Sequence, residues 1–283
     1  MRRHITGIDH CFALVRDLDS AKAVYERLGF TLSPRGVHSA HKGTANHTIM
    51  FERDYFELLG VVTATPGNAH QRQILAAREG LAAVALRTGD ADGAAAEMRA
   101  AGVALSDPVG FARPVDLPDG GRAEAAFRTT QFPEGIVPGF HVFCCQHLTP
   151  QNTWIPDLMR HANTAIGLAS LVTVSQDPAG DAATTARLLA TEVITEGPGA
   201  VRVETGTVPI RFLAPGRFEA QYAEGNFAGL HPNGLVALVV AVRSRDAAEA
   251  ALTRQGVPFT RTTVAVIVAP RDACGVSIVF REA

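Results

Sequence analysis

One histidine and one glutamate lie in apolar segments where each side chain needs a partner. His10 lies in the apolar run of residues 7–15, and Glu57 lies between Phe56 and Leu58. Burying an imidazole or a carboxylate without a partner costs free energy of desolvation. A histidine and a glutamate that meet across a sheet can bind a divalent metal and leave coordination positions open for substrate. The alternative is a hydrogen-bonded core histidine and a glutamate exposed at a sheet edge.

A second apolar segment, residues 140–148, offers further ligands. Alternate residues of a strand share a face, so His141 and His147 point the same way. His141 lies near the start of its strand, as Glu57 does, and we favour it as the third metal ligand. His147 is the alternative, or a base that faces the substrate, and both are equally consistent with hydrogen-bonded core histidines. The neighbouring Cys144 and Cys145 lack the Cys-x-x-Cys spacing of a structural zinc site.

Candidate substrate-binding residues follow Gly43. A glycine that leads into a strand lets backbone N–H groups come close to a ligand. Thr44 and Asn46 alternate onto one face and can line a cavity beside the metal. His47 belongs to a group of histidines in the same stretch and is a third candidate. A solvated loop with scattered imidazoles is the alternative interpretation.

The elements that must position these residues repeat four times along the chain. Each copy starts with a glycine, continues with a short apolar run that is typical of a buried strand, and reaches an aspartate that opens a helical pattern. The glycine and aspartate pairs are Gly7 and Asp17, Gly80 and Asp90, Gly167 and Asp177, and Gly234 and Asp246. Each copy therefore predicts one βαβββ module, and the fold class is α+β.

Three more strands are predicted in each module after its helix. The first of them is expected at residues 30–32, 103–105, 192–195 and 257–259. The closing pair is clearest at residues 44–51 with 55–62 and at residues 263–268 with 275–280. Because one module has an open sheet with an apolar face, two modules should pair around a shared core. We expect two domains, residues 1–150 and 151–283.

Composition excludes several classes of function. The net charge is −2 without a basic stripe, which argues against nucleic acid as a partner. No apolar run reaches the length of about 18 residues that a membrane span needs. The first ten residues lack the apolar core of a signal peptide, and four cysteines provide no disulfide framework. We therefore expect a cytoplasmic protein that acts on a small molecule, and a homodimer is compatible with these features.

At this point the chain resembles the vicinal oxygen chelate superfamily, which includes glyoxalase I, extradiol dioxygenases and bleomycin-resistance proteins. Gly-Ile-Asp-His10 followed by Val-Arg-Asp-Leu-Asp19 is similar to the opening of its βαβββ module. Gly43-Thr-Ala-Asn46 with Tyr55-Phe-Glu57-Leu-Leu resembles its glyoxalase-like domain branch. The resemblance implies four modules paired into two glyoxalase-like domains. It also implies that His10 and Glu57 bind a divalent metal, either zinc, nickel, manganese or iron.

The other modules lack these ligands. Aligned on the first glycine, His10 corresponds to Ala83, Ser170 and Ala237, and Glu57 falls near Ile278 of the last module. We therefore expect the site in the first module pair and a degenerate, structural second pair.

Three functions are compatible with the resemblance. The first is a metal-dependent lyase or isomerase of the glyoxalase type, in which Glu57 both binds the metal and moves a proton. The second is an extradiol-type ring-cleaving dioxygenase with a two-histidine, one-carboxylate iron site. The third is a small-molecule binding protein of the resistance type that holds no metal.

Overall fold

The computed structural model describes residues 1–117, 120–222 and 233–283. Within these residues the strands form two eight-stranded sheets, one from each half of the chain. The first half contributes β1 (Gly7–Val15), α1 (Leu18–Arg27), β2 (Gly36–Val37), β3 (Thr44–Met50), β4 (Tyr55–Val61), α2 (Ala69–Ala77), β5 (Gly80–Arg87), α3 (Ala91–Ala100), β6 (Val109–Asp116), β7 (Arg122–Gln131) and β8 (His141–His147).

The second half repeats this order of elements. It contributes β9 (Ala165–Val174), α4 (Pro178–Leu189), β10 (Val193–Gly197), β11 (Ala200–Val203), β12 (Ile210–Leu213), α5 (Pro215–Tyr222), β13 (Gly234–Val242), α6 (Arg245–Arg254), β14 (Thr260–Arg261), β15 (Val266–Val268) and β16 (Ser277–Glu282). Between the halves, the chain forms two 3₁₀ turns at Pro150–Asn152 and Pro156–Met159. The expected boundary near residue 150 falls in this segment, and the division into two domains stays a prediction.

Both sheets have the same strand order, which confirms four βαβββ modules and the α+β fold. The first sheet runs β2-β3-β4-β1-β5-β8-β7-β6, and the second runs β10-β11-β12-β9-β13-β16-β15-β14. In each module the first strand pairs in parallel with the last strand. The first strands of two modules pair antiparallel at the centre of the sheet. The first strand of the chain, which carries His10, therefore lies in the middle of the first sheet.

Side-chain caps start the helices that follow these first strands. Asp17, Asp90 and Asp177 each accept a hydrogen bond from a backbone N–H in the first turn of their helix, as predicted. In the fourth module the prediction is wrong, because Ser244 caps the helix and Asp246 lies in its first turn. A serine hydroxyl two residues earlier satisfies the same N–H groups.

The strand predicted directly after the helix forms there only in the third module. In the other three modules residues 30–32, 103–105 and 257–259 pair with no strand, and the next strand starts later, at β2, β6 and β14. Phe30, Leu32, Leu105 and Val257 are nevertheless buried. The apolar pattern of these segments therefore reflects burial against the core and not sheet pairing, two causes that a short apolar run cannot distinguish.

One apolar core joins the two halves. Buried residues of both sheets and of the helices α1, α3, α4 and α6 form a single cluster. Phe30 from the first half stacks on Phe280 of β16, with ring centroids 5.7 Å apart. The Tyr25 hydroxyl, on α1, donates a hydrogen bond to the Ala273 carbonyl oxygen at 3.1 Å. Each half is therefore buried partly by the other.

The other face of each sheet is covered differently. In the second sheet, α5 packs Phe218 and Tyr222 against strand residues such as Val172 and Val239. In the first sheet, α2 packs only Ile74 and Leu75 on a small apolar cluster around Leu14. The first sheet thus keeps part of this face open. None of the described helices is long and apolar enough to cross a membrane.

Phe280→Ala should lower the stability of the first half although Phe280 lies on β16. The ring is fully buried, and truncating such a phenylalanine costs about 3–5 kcal/mol through the cavity that remains. Trp154, the only tryptophan, contacts Tyr55 and His147 of the first half. We expect the urea midpoint of Trp154 fluorescence to decrease.

Val264→Ala is the control, because Val264 is 65 % exposed and its truncation should change stability by at most about 0.5 kcal/mol. An unchanged Trp154 midpoint in Phe280→Ala, together with a lower midpoint by far-UV circular dichroism, would show that the two halves have separate cores.

Candidate metal and substrate site

A β-bulge in β1 brings two adjacent side chains together. The register of β1 against β5 shifts between Ile8 and His10, so that Asp9 is the extra residue. A bulge breaks the strict alternation of side chains and re-aims them locally. As a result, Asp9 Oδ1 lies 2.8 Å from His10 Nδ1.

The Asp9 carboxylate holds two imidazoles at once. Its Oδ1 also lies 2.9 Å from His147 Nε2, and its Oδ2 lies 3.2 Å from Arg87 Nε. Burial opposes ionisation of Asp9, but the hydrogen bonds from His10 and His147 outweigh it and hold its pKa well below the usual range. An ionised carboxylate only accepts hydrogen bonds, so His10 donates through Nδ1. The Nε2 atom of a neutral His10 then has a free lone pair.

Glu57 faces this free nitrogen. β1 and β4 pair in parallel with Phe12 opposite Glu57, which places the carboxylate beside the imidazole. His10 Nε2 and Glu57 Oε2 lie 3.7 Å apart, and both residues are more than nine-tenths buried. Asn46 Nδ2 donates a hydrogen bond to Glu57 Oε1 at 2.8 Å. Asn46 therefore fixes one carboxylate oxygen and leaves the other toward His10.

This separation fits two ligands of one divalent ion. Bonds from zinc to imidazole nitrogen and carboxylate oxygen are about 2.0–2.2 Å long, so two such ligands at a tetrahedral angle lie about 3.4 Å apart. The observed 3.7 Å needs only a small adjustment of either side chain. The donor types suit zinc, nickel, manganese and iron alike.

His10 and Glu57 line a cavity of about 360 Å³ inside the first sheet. Six of its eight strands contribute side chains, and the segments around Lys42 and α2 contribute the rest. The lining residues are His10, Phe12, His38, Lys42, Thr44, Asn46, Thr48, Tyr55, Glu57, Leu59, Gly67, Asn68, Gln71, Phe111, Arg113, Phe127, Thr129, Gln131, His141, Phe143 and Cys145. Polar groups thus converge on a partly aromatic pocket, as in many ligand sites.

Comparison with known proteins decides the family. The glyoxalase-like domain family matches residues 8–191, which is more than half of the chain. The chain belongs to the glyoxalase-like domain family. A comparison with proteins of curated function found no match.

Solved structures similar to this glyoxalase-like protein cover almost the whole chain. A hypothetical protein from Staphylococcus aureus has a TM-score of 0.64 and 12% identity, over 98% of this chain and 99% of that one. The Mn(II)-bound glyoxalase from Novosphingobium aromaticivorans has a TM-score of 0.57 and 12% identity, over 99% of this chain and 82% of that one. The 2,2',3-trihydroxybiphenyl 1,2-dioxygenase from Sphingomonas wittichii has a TM-score of 0.55 and 17% identity, over 99% of this chain and 91% of that one. These likenesses show the fold, and together with the family match they agree with the resemblance found in the sequence.

The predicted substrate-binding residues divide between the two faces of β3. Thr44 and Asn46 line the cavity, together with Thr48. His47 points to the other face, where its Nδ1 donates a hydrogen bond to the Ser33 carbonyl oxygen at 2.8 Å. Because side chains alternate along a strand, His47 cannot share the face of its neighbour Asn46.

His141 lines the cavity but is not brought to His10 and Glu57 as part of one ligand cluster. Its Nε2 lies 2.9 Å from Gln131 Oε1, and burial lowers its pKa. In the register of β5 and β8, Phe143 lies opposite Ala85 as Glu57 lies opposite Phe12. Phe143 is therefore the counterpart of Glu57 in the second module, and His141 is the counterpart of Tyr55.

His147 lies outside the cavity lining and behind His10. Its ring packs between Phe127 and Trp154, with centroid distances of 4.8 Å to each. Tyr55 stacks on His10 at 4.2 Å and completes this aromatic enclosure. His147 therefore contributes to the position of Asp9, and through Asp9 to that of His10.

His10 also belongs to a cluster of four possible metal ligands. Asp9, His10, Cys145 and His147 each offer a ligand atom within 4.8 Å of the others, which makes the cluster a possible metal site. Cys145 also lines the cavity. Burial raises the pKa of its thiol well above the usual range, and the charges of Asp9 and Glu57 add to this effect. Cys145 is thus a thiol, and a bound cation would have to deprotonate it.

Several residues of the site were not among the candidates from sequence. Asp9 stands next to His10 in the chain, but only the bulge shows that both side chains meet. Lys42 and Arg113 lie far apart in sequence and meet only because the sheet curls. The sequence did contain a signal for Tyr55 and Cys145. Side chains alternate along a strand, so Tyr55 shares a face with Glu57, and Cys145 shares a face with His141.

The described residues of the second sheet do not repeat the pair of His10 and Glu57. The register places Arg211 and Val279 where Glu57 lies in the first module, one residue after the expected Ile278 in the last case. Arg211 pairs with Glu196, with Arg211 Nε 2.7 Å from Glu196 Oε2, and it also contacts the Tyr222 hydroxyl. Among the described residues of this half, no three metal-binding side chains come together.

His38→Gln should make the protein less sensitive to acid. Burial lowers the pKa of His38 to about 4, below its usual 6.5, and its Nδ1 lies 2.8 Å from Thr44 Oγ1. The folded protein resists protonation of His38, so stability that is complete above pH 6.5 is lost as the pH falls toward 4. Between pH 7 and 4.5 the wild type should lose about 2 kcal/mol more than the variant in urea unfolding. Equal losses would contradict the assignment of this pH dependence to His38.

Proposed function

We propose that this glyoxalase-like protein is a divalent-metal-dependent lyase or isomerase that acts on a small molecule with two neighbouring oxygens. The pair of His10 Nε2 and Glu57 Oε2, 3.7 Å apart in the wall of a 360 Å³ cavity, carries this proposal. The Mn(II)-bound glyoxalase among the structural neighbours supports a divalent ion. His10 and Glu57 would hold the metal, and Cys145 is a further donor. When bound, the cation supplies Lewis-acid stabilisation of negative charge that develops on a substrate oxygen.

The surrounding residues fix the two ligands. Asp9 accepts the Nδ1 proton of His10, which determines the tautomer and directs Nε2 toward Glu57. Such partners of a ligating histidine orient the ring and raise its basicity. Asn46 plays the matching part for Glu57 through its hydrogen bond to Oε1. Both ligands are therefore held in place before any substrate enters.

Proton movement is assigned to Glu57, and His38 lies in the same cavity as a neutral hydrogen-bonding group. His38 lines the cavity, and burial lowers its pKa to about 4, so its imidazole is neutral at pH 7 and is a weaker base than a solvated histidine. Thr44 holds one ring nitrogen of His38 and so fixes the orientation of the other. Phe12, Phe127 and Phe143 line the same cavity and limit access of water.

A binding protein without metal is the second candidate. The internal hydrogen bonds of Asp9 favour it, because they already satisfy His10 Nδ1 and His147 Nε2. In that case Glu57 and Asn46 would be polar groups that orient a ligand by hydrogen bonds. A ring-cleaving dioxygenase would need a second histidine beside His10 and Glu57 at the cavity, and the described residues offer none within one ligand cluster.

Metal content tests the proposal directly. After dialysis with a divalent ion and removal of the excess, elemental analysis of the wild type should give about one equivalent per chain. His10→Ala and Glu57→Ala should each lose the ion, because two donors are too few to spare one. His141→Ala is the matched control, since it also removes an imidazole from the cavity lining and should retain the ion.

Circular dichroism must show that all variants fold. A wild type that binds no ion after loading with zinc, nickel, manganese and iron would contradict the proposal and leave the binding protein. Loss of the ion in His147→Ala but not in Glu57→Ala would place it in the cluster around Asp9 instead. Bound iron together with oxygen consumption on a catechol would favour the dioxygenase.

A further inference from the structure

One cavity residue is a buried cation without an acidic partner. Arg113, on β6, is only 8% exposed. Among the residues that the structure describes, no carboxylate oxygen lies within 4.0 Å of an Arg113 nitrogen, whereas its neighbours Arg99, Arg122 and Arg128 each have one. Buried charges are normally paired, because desolvation of an isolated ion is costly. A guanidinium in the wall of a cavity without such a pair is typical of a site for an anionic ligand.

The guanidinium of Arg113 lies against Gly36, which has no side chain. β2 and β6 are the two edge strands of the first sheet, and the sheet curls so that they approach each other. Arg113 lies over Gly36 of β2, where an added Cβ would come within 2.7 Å of Nη1. A side chain at residue 36 would therefore clash with the guanidinium and with Asn46 Oδ1. The lack of a side chain at Gly36 leaves room for both groups.

A second cation lies on the same wall. Phe111 and Arg113 are two residues apart on β6 and both line the cavity. Lys42 Nζ lies 3.5 Å from the centroid of the Phe111 ring, a cation–π contact. Lys42 also has no carboxylate within ion-pair distance among the described residues. Two cations and one carboxylate, that of Glu57, thus line the cavity, and its formal charge is positive.

We infer that Arg113, with Lys42, binds a carboxylate of the substrate on the side of the cavity that β6 forms. This inference rests on the proposed function for the position of the reacting oxygens. The planar guanidinium presents two parallel N–H donors that match the two oxygens of a carboxylate. The substrate class is then a small acid that carries two neighbouring oxygens and a separate carboxylate. A volume of about 360 Å³ admits a molecule of this size.

A matched pair of probes tests the charge alone. 3,4-Dihydroxybenzoate and 3,4-dihydroxybenzamide share the two neighbouring oxygens and the ring, and they differ in the carboxylate. Calorimetric titration of the wild type should give an affinity about tenfold higher for the acid than for the amide. Arg113→Gln should reduce the affinity for the acid about tenfold and change that for the amide less than about twofold. Lys42→Gln should have a smaller effect of the same kind.

Arg122→Gln is the control, because Arg122 lies on the next strand, is 83% exposed at its side chain and is absent from the cavity lining. It should leave both affinities unchanged. Equal affinities of the wild type for acid and amide would overturn the inference, as would equal weakening of both probes by Arg113→Gln, which would indicate a structural role. Failure of both probes to bind would overturn the substrate class. If inorganic phosphate competes for the Arg113 subsite more strongly than the acid does, the subsite is one for phosphate.

The same titrations with metal-depleted protein separate this inference from the proposed function. Removal of the metal should weaken the binding of the acid and of the amide by the same factor, so that the ratio of the two affinities is preserved. If the wild type binds no metal but still prefers the acid through Arg113, the proposed function is wrong and the carboxylate subsite is right. If the metal binds to His10 and Glu57 but the preference is absent, the proposed function survives and the subsite does not.

Discussion

The buried carboxylate of Asp9 is the constraint on which the site depends. It accepts hydrogen bonds from His10 and His147 and faces Arg87, so it is ionised in a place where burial alone would keep it neutral. These groups come from β1, β5 and β8, and the bulge in β1 is what turns Asp9 toward them. The tautomer of His10, and with it the direction of the free lone pair toward Glu57, follows from this one carboxylate.

The two sheets have the same strand order, but their faces are covered differently. Each has an extra helix after the last strand of its first module, α2 in the first sheet and α5 in the second. The large side chains of Phe218 and Tyr222 on α5 pack on the second sheet, whereas α2 faces the cavity with the polar Gln71. Because the halves also share one core, each half buries apolar residues of the other.

The repeated pattern of glycine, apolar run and aspartate was enough to predict the modules, because it reflects local strand and helix physics. The same reasoning identified His10, Glu57, Thr44 and Asn46, which all line the cavity. It placed the strand after the helix too early in three modules, because burial and pairing leave the same apolar pattern. It also assigned His141 by its distance from the strand start, whereas register depends on pairing across the sheet, which makes Phe143 the counterpart of Glu57. Asp9 and Arg113 depend on a bulge and on the approach of the edge strands, and neither is readable from local sequence.

The charged side chains are distributed unevenly over the cavity wall. Glu57 and His10 lie on the central strands β4 and β1, while Arg113 lies on the edge strand β6, and Lys42 lies beside Phe111 of the same strand. A divalent ion at the centre would partly balance Glu57 and make the cavity more positive still. A neutral ligand would leave Arg113 desolvated without compensation, whereas a carboxylate at the edge would compensate both the desolvation and the excess charge. The arrangement of charges therefore favours an acid whose reacting oxygens lie toward the centre of the sheet.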